Sequence, residues 1–361
     1  MLNSNKTINF FVLDITLKGG IERFSINMAN SFIKKGINVV IYSLHRTNKQ
    51  PLYKVSDGVK IIYLSTFSFK DGFYKFTTFY SCLKLRLMNA KLSEPQIENI
   101  STHPITTIYL KALGFNMANI IASEHSTYDS HGKLICKLRE WAYSKVKKII
   151  TQTKSGHFSF SEINLDTTTI YNSTVNFNDT DQWNLNKSDA FVCLTVARIE
   201  PVKNLELFLK IAREFKDKDV KIKFVIVGDG SQKAYLEDKS KAMGLSSLVE
   251  FHPATNEVNK FYKNASLYLI TSKSESFSMT MTEALSFSVP VVSNKGLVGP
   301  SEVLTHNYDG FLCNDNDIED FTNCIMAAYD EACLSKLRKN ALKTAKMFHE
   351  DVIVEQWLKV L

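Results

Sequence analysis

Residues 267–294 read LYLITSKSESFSMTMTEALSFSVPVVSN, and the alternation inside this stretch decides the fold. The apolar run at 267–270 has the length of a buried strand, and a loop of small hydroxyl residues follows it. A helix with Met279 and Leu285 on its inner side comes next, and residues 289–292 open a second strand. Strand, loop, helix, strand is the repeating unit of a parallel, doubly wound sheet. Ser276, Ser278 and Thr280 crowd the helix start, where unpaired backbone N–H groups and the helix dipole favour a phosphate. Glu275 lies just before the helix and Glu283 inside it, a spacing that lets both face one bound ligand.

The same grammar extends outward. Residues 190–196 form a strand, Leu205, Phe208, Ile211 and Phe215 share one helix face, and the strand at 224–227 ends in Gly228-Asp229-Gly230. Further strands fall at 249–251 and 310–313. The first half opens with a strand at 10–15, a Lys18-Gly19-Gly20 turn, and a helix carrying Ile21, Phe24, Met28 and Phe32. Gly36 stops that helix before a strand at 39–44. Each glycine turn falls at the carboxyl end of a strand, where open α/β sheets hold their ligands. Residues 172–188 (NSTVNFNDTDQWNLNKS) are polar and weakly periodic and read as a linker. The expected domains are therefore 1–180 and 181–345, with 346–361 as a helix crossing back to the first.

The chain has 361 residues, 44% hydrophobic and 22% charged, enough for two cores and unlike a disordered, fibrous or disulfide-stapled protein. Its six cysteines are scattered without a CxxC pair, which argues against structural zinc and for a reducing compartment. No apolar run approaches the ~20 residues of a membrane span, and the N-terminus lacks signal-peptide character, so a cytoplasmic location is expected. The net charge of +7 is uneven. The first 180 residues hold 22 Lys and Arg against 12 Asp and Glu, and the remainder holds 22 against 25. Residues 70–91 interleave Phe73, Phe76, Phe79, Tyr80 and Leu83 with Lys75, Lys84 and Arg86. Residues 133–148 do the same with Leu134, Leu138, Trp141 and Val146 among lysines. Such helices either pack on a core with a solvated basic face or lie on an anionic membrane.

The stretch TSKSESFSMTMTEALSFSVPVVSN, with Glu275-x7-Glu283, resembles the retaining glycosyltransferases of family 4. That resemblance implies the GT-B fold, two Rossmann-like doubly wound parallel-sheet α/β domains facing across a cleft. Arg198 and Lys203 in VARIEPVKN resemble the family's basic pair that holds the donor diphosphate, and two cations at a strand end suit a pyrophosphate. Gly228 and Gly230 resemble the turn beside the nucleotide, and Gly19 and Gly20 the N-terminal loop close to the donor phosphates. Ser278, Met279 and Thr280 fall at the donor-binding helix start. His125, in Ser123-Glu124-His125, resembles the acceptor-side histidine near the reacting sugar. Gly299-Pro300-Ser301-Glu302 resembles the loop near the donor, although Lys295-Gly296-Leu297-Val298 departs from its glycine-rich form.

By the same implication Glu283 bonds the ribose hydroxyls, and Glu275 and His125 are the catalytic residues. Asp315-Asn316-Asp317 superficially fits a metal-holding Asp-x-Asp pair but reads as a helix-opening turn, so neither metal nor cofactor is expected. The implied reaction moves a hexose or N-acetylhexosamine, with retention, from a nucleotide sugar (UDP-linked) to a lipid-linked saccharide. The setting is O-antigen, lipopolysaccharide or capsule biosynthesis. The expected partners are donor, acceptor and the cytoplasmic face of the inner membrane through the basic first domain, with no nucleic acid. Two rival readings are a GT-B phosphorylase or epimerase, and a non-catalytic nucleotide-sugar-binding partner of a membrane assembly complex. A Rossmann dehydrogenase is disfavoured, because no strand is followed by GxGxxG.

Overall fold

A computed structural model describes residues 6–69, 72–88, 92–174 and 190–361, so the expected linker lies outside the described residues from position 175 on. The chain divides into two compact units, Met1–Ser173 with Glu350–Leu361, and Thr174–His349.

The first unit holds seven parallel strands: β1 (Thr7–Val12), β2 (Asn38–Ser43), β3 (Val59–Tyr63), β4 (Ile97–Ser101), β5 (Ile120–Glu124), β6 (Lys148–Thr151) and β7 (Thr167–Thr169). Their order is β3-β2-β1-β4-β5-β6-β7. A strand covered on both faces reads as a near-continuous apolar run, and in β1 Ile8, Phe10, Phe11 and Val12 are all fully buried. The helix Gly20–Lys34 lays Phe24, Met28 and Phe32 on the sheet and ends at Gly36, whose φ of +77° suits glycine. The helix Glu350–Val360 joins the same core through Ile353, Val354 and Trp357. Lys34–Glu350 and Lys35–Glu355, each 2.9 Å, add surface pairs worth at most about 1 kcal/mol. Burial of Trp357 and its neighbours, about 2 kcal/mol per large side chain, is the stronger tie. The preceding turn Lys346–Phe348 belongs to the other unit, where Phe348 packs on Phe277.

The second unit repeats the plan with β8 (Phe191–Val196), β9 (Ile222–Val227), β10 (Val249–His252), β11 (Leu267–Ile270), β12 (Val291–Asn294) and β13 (Gly310–Cys313). The order β10-β9-β8-β11-β12-β13 reverses direction between β8 and β11, as the first sheet does between β1 and β4. These are the switch points at which doubly wound sheets open a crevice.

Two strands are displaced from their expected positions. The first runs Thr7–Val12 rather than 10–15, because the Asp14 carboxylate accepts from the backbone N–H groups of Thr16 (2.9 Å) and Thr47 (2.8 Å) and turns the chain out of the sheet. The strand expected at 289–292 is Val291–Asn294. Ser288 has φ +54° and Pro290 has no N–H, so pairing starts two residues later than expected, although the Pro290 carbonyl still accepts from Tyr268 N at 2.9 Å.

The two basic helical stretches face the opposite way from core packing. In the helix Tyr74–Leu87 the buried residues are Thr77, Thr78, Ser81, Cys82 and Leu85. Phe73, Phe76 and Leu87 are 79%, 70% and 82% exposed. In the helix Lys133–Tyr143 the buried residues are Arg139, Ala142 and Tyr143, while Leu134 and Trp141 face solvent. Among the described residues no helix is long and apolar enough to cross a membrane.

Candidate active site

The β8–β11 switch point carries a pocket lined by Thr195 and Ala197 at the end of β8, Tyr268 and Ser272 along and after β11, Lys203, Glu275 and Ser278 from the loops, and Thr280 from the following helix. The two loops are stitched by hydrogen bonds to main-chain carbonyls. Thr271 Oγ1 donates to Lys203 O (3.1 Å) and Lys273 N donates to Val202 O (2.8 Å). That stitching brings together residues 72 positions apart: Lys203 Nζ donates to Glu275 Oε1 at 2.6 Å, and Ser272 Oγ donates to the same oxygen at 2.8 Å. Ser278, the residue before the helix Met279–Ser286, holds φ +69°, a left-handed conformation uncommon for a side-chain-bearing residue. Gly299 makes room for this loop, since a Cβ there would lie 2.6 Å from the Phe277 Cα.

Of the donor-side candidates, Lys203, Glu275, Ser278 and Thr280 therefore share one pocket. Glu283 lies deeper, 4% exposed, accepting from the Tyr262 hydroxyl at 3.0 Å. Of the two glutamates, Glu275 is the one on the pocket wall. Arg198 is exposed on the loop after β8. Met279 opens the helix. Gly228 and Gly230 serve contact between backbones: a Cβ on Gly230 would lie 2.7 Å from Ile199 N and nearer still to its carbonyl. Ile199 N in turn donates to Asp229 O at 2.9 Å. Asp317 caps the helix Ile318–Tyr329 by accepting from Asp320 N, and Asp315 accepts from Gly296 N at 2.7 Å, so this segment is a helix-opening turn.

Sequence reasoning missed Tyr268. Its hydroxyl donates to Val196 O at 3.0 Å beside the pocket, and burial pushes its pKa up. A lone hydroxyl within the apolar run LYLI was the available signal. Among the described residues one group has metal-ligand character, Cys313, Asp320 and Cys324. The two sulfurs are 3.4 Å apart in the core, and the hydrogen bond to Cys324, then burial, pushes the Cys313 thiol up. Asp320 already accepts from Asn314 N at 2.8 Å, so the group reads as a packed thiol pair.

In the first unit, Gly19 precedes the helix Gly20–Lys34 as its N-cap, and a Cβ there would collide with the Glu22 carboxylate. His125 follows β5 at the centre of a polar chain. Asn172 Nδ2 donates to Gln152 Oε1 (2.7 Å), Gln152 Nε2 meets His125 Nδ1, and His125 Nε2 meets Ser123 Oγ at 3.0 Å. An amide NH2 only donates, so His125 Nδ1 accepts and the proton sits on Nε2. Phe24 packs edge-on at 4.5 Å between ring centres. Burial lowers the His125 pKa to about 3, against the opposing bond from Gln152 and with a further lowering by His103. Burial, then His131, lowers His103 to about 4. Beneath this loop the buried Glu124 accepts from Arg139 Nη1 (3.4 Å), Tyr143 OH (3.0 Å) and Ser126 N (3.0 Å), an anchor that the sequence did not reveal.

Two Rossmann-type sheets in one chain, with a charged pocket at a switch point, are the architecture of the GT-B glycosyltransferases. Residues 177–347 match the family described as "Glycosyl transferases group 1", and the chain is a glycosyltransferase. It is 27% identical to an uncharacterised glycosyltransferase of Haemophilus influenzae, over 99% of this chain and 100% of that protein. It is 26% identical, over 97% of each chain, to the Campylobacter jejuni GalNAc-α-(1→4)-GalNAc-α-(1→3)-diNAcBac-PP-undecaprenol α-1,4-N-acetyl-D-galactosaminyltransferase. Among solved structures, Anabaena HepE in complex with UDP-glucose shares the fold at a TM-score of 0.75 and 15% identity, covering 98% of this chain and 100% of that one.

Proposed function

We propose that the protein is a retaining glycosyltransferase of family 4. In this reading it moves a hexose or N-acetylhexosamine from a UDP-sugar to a lipid-linked saccharide acceptor during surface-polysaccharide assembly. The observation that carries the reading is the Lys203–Glu275 pair at the β8–β11 switch point, a cation and a carboxylate held where a nucleotide diphosphate would lie. The relative named for transfer to a PP-undecaprenol-linked saccharide supports the acceptor class, and the neighbour bound to UDP-glucose supports the donor.

Lys203, with Arg198 and the start of the helix Met279–Ser286, would carry the diphosphate. Glu275 would sit by the transferred sugar, Glu283 would take the ribose hydroxyls, and the neutral His125 would serve the acceptor side. As the bond from anomeric carbon to phosphate oxygen breaks, positive charge grows on the carbon and negative charge on the departing diphosphate. Glu275 supports the first and Lys203 the second. The acceptor hydroxyl attacks the same face and its proton passes to the leaving phosphate oxygen, so the configuration is retained.

The exposed aromatic and basic faces of the helices Tyr74–Leu87 and Lys133–Tyr143 support docking on an anionic bilayer. The first of them contains no acidic residue, and each basic side chain near such a surface adds about 1 kcal/mol.

The test is turnover by Lys203→Ala and Glu275→Ala with UDP-sugars and an undecaprenyl-diphosphate saccharide. Each should lose about a thousandfold or more in kcat/KM while retaining wild-type circular dichroism. Folded variants with near-normal turnover would refute the assignment.

A further inference from the structure

Glu275 does more in this pocket than wait for a sugar. Its Oε1 receives the Lys203 ammonium at 2.6 Å and the Ser272 hydroxyl at 2.8 Å, and the Lys203 and Glu275 side chains are only 21% and 12% exposed. The loops that hold them are fastened to each other by hydrogen bonds to the Val202 and Lys203 carbonyls. The Lys203 ammonium is therefore matched to an anion that belongs to the protein. A second anion entering the pocket must take Lys203 away from Glu275 and displace a carboxylate that repels it.

Resting on the proposed donor site, we infer that Glu275 is an internal competitor for Lys203, a carboxylate that the donor diphosphate must displace before the site is assembled. The competition sets a charge threshold. A nucleoside diphosphate brings enough charge to take over Lys203, and a monophosphate or inorganic phosphate is held off. Displacement also couples binding to chemistry, because the carboxylate released from Lys203 becomes available to the anomeric centre only when a diphosphate is present. The pair thus makes Glu275 a specificity-determining residue as well as a catalytic one.

Calorimetric titration of the full chain with UDP, GDP, inorganic pyrophosphate and UMP tests this. Glu275→Gln keeps the shape of the side chain and removes its charge. It should tighten diphosphate binding by roughly tenfold, with an equal or larger gain for UMP, so that discrimination between UDP and UMP narrows. Glu275→Ala is the second variant and should act in the same direction. Lys203→Met should weaken diphosphate binding by tenfold or more, and in that background the gain from Glu275→Gln should shrink to less than about threefold. An unchanged or weaker diphosphate affinity in both Glu275 variants would overturn the inference. An equal gain with and without Lys203, the mark of simple repulsion, would do the same. If Lys203→Met weakens binding while the Glu275 variants do not tighten it, the inference fails and the donor site stands. If no diphosphate binds the wild type, or Lys203→Met changes nothing, the donor site itself is misplaced and the inference falls with it.

Discussion

Two sheets with the same strand order end in different chemistry. The crevice of the second unit, where β8 and β11 part, is walled by a lysine and a glutamate bonded to each other, with small hydroxyl residues around them. In the first unit, the carboxyl ends of β5, β6 and β7 present a chain of neutral groups, Ser123, His125, Gln152 and Asn172. Strand order determines where a crevice opens, and the loops determine what it binds. A charged wall suits an ionic ligand such as a diphosphate. A neutral, hydrogen-bonding one suits the hydroxyls of a sugar. The units also differ on their outer faces, because the exposed aromatic and basic helices belong to the first.

The contrast breaks most sharply at Gly230. Ala at this position would drive its Cβ into the Ile199 backbone, where no flexible side chain can yield, so Gly230→Ala should destabilise the second unit by about 3 kcal/mol or more. Denaturant unfolding should then resolve two transitions, the earlier one belonging to the second unit; a single unshifted transition would show that the loops around Gly230 have room. Next in size is the outer face of the first unit. Replacing Phe76 and Leu87 together by Ser removes two large apolar side chains that are 70% and 82% exposed. Sedimentation with phosphatidylglycerol vesicles should fall by tenfold or more without loss of melting temperature, at about 1–2 kcal/mol for each side chain in the interface. Equal binding by both proteins would leave that face without a role in lipid binding.

The smallest effect sharpens the difference in charge. His125 and His103 are folded with pKa values lowered to about 3 and about 4, while unfolded histidine titrates near 6.5. The unfolded chain takes up protons first as the solution is acidified. The stabilisation from the neutral imidazoles is thus complete above about pH 6.5 and is lost as pH falls toward 4. The slope is roughly 1 kcal/mol per pH unit for each histidine, and the loss falls on the first unit. Thermal melts of wild type and His125→Gln between pH 7 and pH 4.5 should converge on acidification, whereas parallel curves would show that His125 is not held neutral by the fold.

Much of this was legible in the residues alone. The alternation of short apolar runs, glycine turns and amphipathic helices placed the six strands of the second sheet and the first two of the first within a few residues, while β3 to β7, most of them short, were not marked. The errors at β1 and β12 came from Asp14 and Pro290, whose effects depend on which backbone groups lie opposite them. Glu275 was marked by the loop after a strand, Ser278 and Thr280 by a helix start, and Lys203 by its place in VARIEPVKN. Their meeting in one pocket depended on neighbours 72 residues apart.

The helix Lys133–Tyr143 marks the boundary between the two kinds of knowledge. Leu134, Leu138 and Trp141 recur at helical spacing, and so do Arg139, Ala142 and Tyr143. Periodicity states which side chains share a face, and it is silent on which face is covered. The buried carboxylate of Glu124, at the end of β5, turned the arginine inward and left the apolar row outside. Local sequence determined the elements and their order, because backbone propensity and side-chain period act over a few residues. Tertiary structure alone decided the partners of Lys203, Glu275 and Arg139, because a charge removed from water is stabilised by whatever group the rest of the fold sets beside it.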